Sequence, residues 1–178
     1  DPDPTPDPEP ETFEITGTAV KGIVTGGIIT AFDHFGLELG SSPTDVFGHY
    51  AIPLPVTFFG PVELNLTATP DTTMTCDISN CGNGVGFGDE ITDVGDIVLS
   101  SLAFIPPPIN DVHSVIAEMP PIPLNLFTTL TTNVIKDTTT LTAISDAGAA
   151  ALTALAVSAT QEVGLSLGMP QDLIPNNF

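Results

Sequence analysis

The chain has 178 residues, of which 42% are hydrophobic and only 13% charged, so it can bury a core but carries few ionic groups. Twenty-two acidic residues face two basic ones, Lys21 and Lys136, giving a formal net charge of −20. Such a charge repels nucleic-acid phosphates and anionic membranes, which excludes nucleic-acid binding as a function. Because salt screens this charge, the composition suits a saline, extracellular setting.

Residues 1–11 alternate proline with acidic residues, in the order DPDPTPDPEPE. Regular prolines favour polyproline II geometry, and repulsion between the carboxylates extends the segment further. One interpretation is a flexible spacer between an anchor and a domain, and the other is an arm that docks on a neighbouring subunit. We expect Asp1 to be a mature N-terminus left after export, and a lipid anchor just upstream of it fits this expectation.

Alternating apolar and polar residues predict β-strands along much of residues 12–123. In the first strand, Phe13 and Ile15 share one face. The other strands are predicted at 28–32, 46–54, 62–68, 97–104 and 112–117, with a turn-rich loop at 40–45, a glycine-rich loop at 71–90 and prolines 120, 121 and 123 ending the last strand. About seven short strands with turn signals between them predict an Ig-like antiparallel β-sandwich over residues 12–123.

The composition changes at residue 124, where prolines become rare and alanine increases. Apolar residues near helical spacing predict a helical hairpin, with helices at 124–136 and 142–167. Ser145 and Asp146 are candidate capping residues, and the threonines of the first helix are expected to weaken it. The predicted fold is therefore mainly β with α, in three parts: an arm (1–11), a sandwich (12–123) and a helical segment (124–178).

Three segments carry a resemblance to a known family: FEITGTAVKG at 13–22, ITAF at 29–32 and DVFGHY at 45–50. They resemble the carboxypeptidase-regulatory-like family of Ig-like sandwiches. The last segment suits a tight turn, because Asp45 can bond the following backbone, Gly48 can take a positive φ and Tyr50 can enter the core. Residues 73–88, followed by a helical C-terminus, resemble a narrower group of bacterial exported or lipid-anchored surface proteins. The resemblance implies a non-catalytic structural or adhesive module.

The two cysteines, Cys76 and Cys81, lie five positions apart. A short disulfide is the favoured interpretation and would imply export; free thiols and a zinc site are the alternatives. The acidic residues around this loop are candidate ligands for calcium, although their spacing does not match the EF-hand and a solvated acidic loop is the simpler interpretation. These residues are Asp77, Asp89, Glu90, Asp93 and Asp96.

No sequence motif of a hydrolase, a phosphate-binding loop or a zinc protease is present, so we expect neither an enzyme nor a cofactor. The three histidines lie in separate segments and do not predict a shared metal site. Asn65 begins an Asn-Leu-Thr glycosylation triplet, but such triplets also occur by chance.

Two functions remain as hypotheses for this chain. The first is a self-assembling subunit of an extracellular fibre or pilus-like filament, a homopolymer of the cell surface. Its contacts would be made by strand addition or docking of the arm. Candidate contact residues are Phe13, Ile15, Leu152 and Leu155. The second is a monomeric adhesin on a stalk, which would bind a glycan, a cation or a protein through the loops at 33–45 and 71–96.

Overall fold

A computed structural model describes residues 11–107 and 119–174, and the statements below refer to those residues. They form ten strands and three α-helices, so the fold is mixed and mainly β. The strands are β1 (Thr12–Val20), β2 (Val24–Thr25), β3 (Ile28–Phe32), β4 (Glu38–Pro43), β5 (His49–Pro55), β6 (Gly60–Thr67), β7 (Thr73–Thr75), β8 (Glu90–Ile91), β9 (Val98–Ile105) and β10 (Ile122–Asn125). The helices are α1 (Leu126–Thr138), α2 (Leu141–Ala147) and α3 (Ala149–Ser166), and a short 3-10 turn follows at Gln171–Leu173.

Two larger sheets share one apolar core. The first has the strand order β10-β1-β5 and the second the order β4-β3-β6-β9. Alternate side chains of both sheets point into this core, among them Ile15, Ile29, Ile52, Leu64 and Leu99. A third, small sheet (β2-β7-β8) carries the loop with the two cysteines. One pairing departs from the predicted all-antiparallel arrangement, because β10 runs parallel to β1.

Most predicted strands are confirmed where the structure describes them. The strands at 12–20 and 28–32 have the predicted bounds, and Val62, Leu64 and Leu66 of β6 face the core. Ala68, predicted to face inward with them, lies beyond β6 and is half-buried. The strand predicted at 112–117 lies outside the described residues.

The predicted loop at 40–45 is wrong in its first part, because residues 38–43 form strand β4. This strand pairs only with β3 and has no partner on its other side in its sheet. An edge strand tolerates the glycine, serines and proline that had indicated a loop, since half of its backbone groups face away from the ladder.

The prolines at 120–123 do not end the β-structure. Ile122–Asn125 form β10, whose Pro123 is tolerated because β10 is also an edge strand. The buried hydroxyl of Tyr50 donates to the Ile122 carbonyl over 2.5 Å, so it joins β5 to β10 across β1. Gly17 of β1 makes room for this bond, because a Cβ there would lie 1.9 Å from the same carbonyl.

Helix α1 follows β10 without a loop. Its N-terminus is closed by a capping box, in which Asn125 accepts from the Thr128 amide and Thr128 accepts from the Asn125 amide. The second predicted helix, 142–167, is interrupted: Gly148 takes a φ of 82° and separates α2 from α3. Ser145 and Asp146 lie inside α2, and Thr140 caps it instead.

The threonines of α1 attach the helix to the second sheet. Thr128 donates to the Ser100 carbonyl and Thr129 accepts from the Ser100 amide, each over 2.9 Å, at the free edge of β9. Two helical turns beyond, Lys136 binds Glu63 of β6 over 2.6 Å. The second sheet therefore has the sandwich core on one face and the helices on the other.

Candidate interaction surface

Two turns of the sandwich have the same sequence pattern, Asp-x-Phe-Gly-x, and the same hydrogen bonds. In Asp33–Leu37, one carboxylate oxygen of Asp33 accepts from the amides of Phe35 and Leu37, both at 2.8 Å. In Asp45–His49, one oxygen of Asp45 accepts from Phe47 and His49 at the same distances. In both turns the aspartate amide also donates to the carbonyl four residues later. These bonds hold each turn in one conformation.

Each of these turns presents a phenylalanine to solvent. Phe35 is 77% exposed and Phe47 is 64% exposed, and the glycine after each takes a positive φ that suits the turn. A histidine ring lies beside each phenylalanine, with centroid distances of 3.9 Å for His34 and 5.9 Å for His49. An exposed aromatic ring on a fixed turn can bury its area against a partner at little conformational cost.

The aspartate of the second turn is held in its charged form. Partial desolvation opposes this, but the amides of His49 and Phe47 and the His49 ring together lower the pKa of Asp45 below its ordinary value. The Asp45 carboxylate, with its lowered pKa, therefore stays charged to a lower pH than a free aspartate does.

Two further Phe-Gly pairs also lie between strands: Phe87 is in a turn of the loop with the two cysteines, and Phe59 lies between the turn at 56–57 and β6. Phe59 precedes Gly60 and is 58% exposed, and Phe87 precedes Gly88 and is 76% exposed. Both glycines have a positive φ. The four phenylalanines Phe35, Phe47, Phe59 and Phe87 are called the tip phenylalanines below. Ile23, Leu37, Val46 and Ile78 add exposed apolar area on the same turns and loops.

The tip phenylalanines lie in pairs at opposite ends of the sandwich. Phe35 follows β3 and Phe59 precedes β6; since β3 and β6 are antiparallel with Phe32 opposite Glu63, both lie at one end, called the first end. Phe47 lies between β4 and β5, at the other end of β4 from Phe35, which defines the second end. Phe87 is also at the second end, because its loop is bonded to the turn that follows β1.

The loop that carries Phe87 is closed by the predicted disulfide between Cys76 and Cys81, which is confirmed. The Asp77 carboxylate accepts from the Gly22 amide at 3.0 Å and fixes the loop to the β1–β2 turn. The Cys76 amide donates to the Asp89 carbonyl at 2.8 Å, closing the base of the loop. The region predicted as one loop, 71–90, therefore contains two short strands, β7 and the start of β8.

The five acidic residues proposed as calcium ligands are all exposed. Two of them have structural partners: Asp77 binds the Gly22 amide and Asp89 binds the Gly86 amide. Within residues 11–107 and 119–174, no three histidine, cysteine or acidic side chains come together in a group that could hold a metal ion. In the same ranges, no helix has the length and apolar character needed to cross a bilayer.

The residues predicted to make subunit contacts lie mostly inside the protein. Phe13 and Ile15 belong to the sandwich core, and Leu152 is buried between α3 and its neighbours. Leu155 is half-buried in the same helical cluster. The side chains of Phe13, Ile15 and Leu152 are therefore already buried by the chain, whereas Leu155 keeps part of its surface exposed. Asn65 is half-buried on β6, where its amide donates to Glu63 over 3.3 Å.

Comparison with protein-family models, with curated proteins and with solved structures finds no match for this chain. The resemblance to carboxypeptidase-regulatory-like sandwiches therefore stays a prediction from sequence. Sequence reasoning missed the tip phenylalanines, although a signal was present: Asp-x-Phe-Gly occurs twice, and four Phe-Gly pairs precede the helices.

Proposed function

We propose that this chain is a non-enzymatic structural protein of the extracellular cell surface, an Ig-like sandwich with C-terminal helices that assembles end to end with copies of itself. The observation that supports this proposal is the pair of tip phenylalanines at each end of the sandwich. A binding module with a single site needs such a surface at one end only, whereas a polymer subunit needs one at both ends.

The physical argument combines apolar ends with a large net charge. Aromatic side chains are enriched among the residues that contribute most to protein interfaces, because they bury a large area with few rotatable bonds. The net charge of −20 makes two copies repel each other, which disfavours extensive side-by-side contact. An end-to-end contact brings fewer acidic residues of the two copies close together, so the repulsion is smaller. Salt weakens the remaining repulsion, so we expect assembly to increase with ionic strength.

The two ends differ in sequence and structure, so a contact between them is heterologous. Such contacts produce open filaments unless the rotation between subunits closes a ring. Strand β1 starts at the first end, because Thr12 pairs with Pro55 just before the turn that precedes Phe59. Glu11, to which the proline-rich segment is joined, therefore lies at the first end, and we propose that this segment extends the interface or connects to a lipid anchor upstream.

Two double variants test the proposal by complementation. Phe35→Ser with Phe59→Ser alters the first end, and Phe47→Ser with Phe87→Ser alters the second. Light scattering and electron microscopy should show filaments or oligomers for the unmodified chain and monomers for each variant. An equimolar mixture of the two variants should form dimers, because each variant supplies the end that the other lacks.

A matched control is Leu165→Ser, which removes an exposed leucine from α3 and should leave assembly unchanged. A chain that stays monomeric at all concentrations and salt concentrations would contradict the proposal. If one double variant dimerises alone, the contact joins two identical ends and the open filament is wrong.

The stalked adhesin is the alternative, with one binding site shared by the loops at 33–45 and 71–96. The structure places the turn at Asp33–Leu37 at the first end and the disulfide loop at the second. Asp45, the last residue of the first of these loops, lies at the second end with the disulfide loop, so an adhesin would use the second end alone.

A further inference from the structure

A cavity lies between the second sheet and the helices, and its lining at Phe104 and Pro106 reaches the first end, where Phe104 pairs with Pro61. Its volume is ≈ 690 Å³, and its walls are strands β9 and β10 and helices α1 and α3. Apolar side chains form most of the lining, among them Leu102, Phe104, Ile122, Phe127 and Leu152. Pockets of roughly 300–1,000 Å³ with apolar walls and a few polar groups are typical of small-molecule sites.

The lining contains no charged residue among those that the structure describes. This matters in a protein with a net charge of −20, since the surrounding potential repels anions. A cationic ligand would need a carboxylate within the cavity to offset its desolvation. The lining therefore matches a neutral ligand.

One hydroxyl in this lining lacks a partner. Thr131 lies on α1, is 1% exposed and lines the cavity. Its oxygen makes no hydrogen bond to any described part of the chain. Its neighbours Thr128 and Thr129 bind Ser100 instead. A buried hydroxyl without a partner is unfavourable, so a ligand that supplied a donor or an acceptor would be stabilised there.

The edge of β9 adds further polar groups to the same wall. The Ser100 amide points away from β6, because it donates to Thr129 of α1. Since successive residues of a strand point to opposite edges, the amides and carbonyls of Leu102 and Phe104 also point away from β6. In the described residues, no side chain bonds to these groups as Thr128 and Thr129 bond to Ser100.

We propose that this cavity binds a neutral, largely apolar small molecule that carries one hydroxyl or carbonyl group. The apolar part lies against Phe104, Ile122 and Leu152, and the polar group reaches the Thr131 hydroxyl. The inference does not depend on end-to-end assembly, because it uses none of the tip phenylalanines.

The test measures binding of 1-octanol to the full chain by isothermal titration calorimetry, with octanoate and octylammonium as charged probes of equal chain length. We expect saturable binding of one octanol per chain and affinities for the two charged probes that are lower by about tenfold or more, because an apolar site cannot solvate their charge. Thr131→Val should weaken octanol binding by about fivefold, the value of one hydrogen bond.

Thr153→Trp fills the cavity from an exposed position on α3 and should abolish binding. Ala154→Trp is the matched control, because Ala154 is exposed on the same helix but does not line the cavity, and it should bind as the unmodified chain does. Absence of saturable octanol binding overturns the proposal. Equal binding by the Thr153→Trp variant, or equal affinity for octanol and octanoate, overturns it as well.

Discussion

Tyr50→Phe removes the hydroxyl that links β5 to β10 across β1 in the first sheet. The ring of Tyr50 is buried on β5, and its hydroxyl reaches the Ile122 carbonyl of β10 by passing over Gly17 of β1. Phenylalanine keeps the ring but leaves the carbonyl without this donor. We expect a loss of about 1–3 kcal/mol in the free energy of unfolding, the range for removing one partner of a buried hydrogen bond. Urea denaturation followed by circular dichroism measures this loss.

The same residue predicts a dependence of stability on alkaline pH. Burial raises the pKa of Tyr50 well above its ordinary value, so the folded state favours the protonated phenol. The resulting stability is complete below pH of about 10, the unfolded value, and decreases above it by up to about 1.4 kcal/mol per pH unit. The Tyr50→Phe variant should lack this part of the decrease, and comparing the two proteins removes the contribution of the lysines.

The chain offers a direct readout, because it contains one tyrosine and no tryptophan. Near-ultraviolet absorbance of tyrosinate therefore reports Tyr50 alone, and it should appear only as the protein unfolds. Reversible ionisation near the ordinary pKa in the folded protein would refute the reasoning, and so would a variant as stable as the unmodified chain.

Three further substitutions test the packing of the sheets and the helices by urea denaturation. Gly17→Ala forces a Cβ against a backbone carbonyl of β10, and we expect a loss of about 1–3 kcal/mol, as for other overpacked sites. Lys136→Met removes the cation that pairs with the Glu63 side chain, which is only 11% exposed. Because the lysine is 45% exposed and solvent screens its charge, we expect a loss of about 1–2 kcal/mol in the free energy of unfolding. Adding Glu63→Gln to the Lys136→Met variant should restore part of the lost stability. Thr129→Val removes the acceptor of a β9 amide and should cost about 1–3 kcal/mol. Thr131→Val loses no hydrogen bond to the described part of the chain, so it should be neutral or stabilising. Equal losses for the two threonine variants would contradict the assigned bonds.

The sequence predicted the elements whose pattern is local. Strands β1 and β6 alternate apolar and polar residues, whereas β3 and β9 are short, largely apolar runs. Strands β4 and β10 were missed because their glycine, serine and proline residues indicate loops, and only pairing with β3 or β1 makes them strands. Edge strands such as these are therefore difficult to predict from the local sequence alone.

The candidate surface was harder to predict than the fold. Phe13 and Ile15 were proposed as contact residues for strand addition or docking of the arm, but their side chains lie in the core. Phe35 and Phe47 lie among turn-forming residues instead, where no alternating pattern predicts that the side chain is buried. An aromatic residue before a turn glycine is the more useful sign of an exposed contact, and this sequence repeats it.

The parallel pairing of β1 and β10 has a mechanical consequence. Gly17 to Val20 lie beside Ile122 to Asn125 and run in the same direction. Tension applied between residues 11 and 125 therefore pulls the two strands along their length in opposite directions. All of their shared hydrogen bonds then bear the load together, whereas an antiparallel hairpin opens one bond at a time. The Tyr50 hydroxyl lies across this pair and adds a transverse link, so separating residues 11 and 125 must break that bond as well.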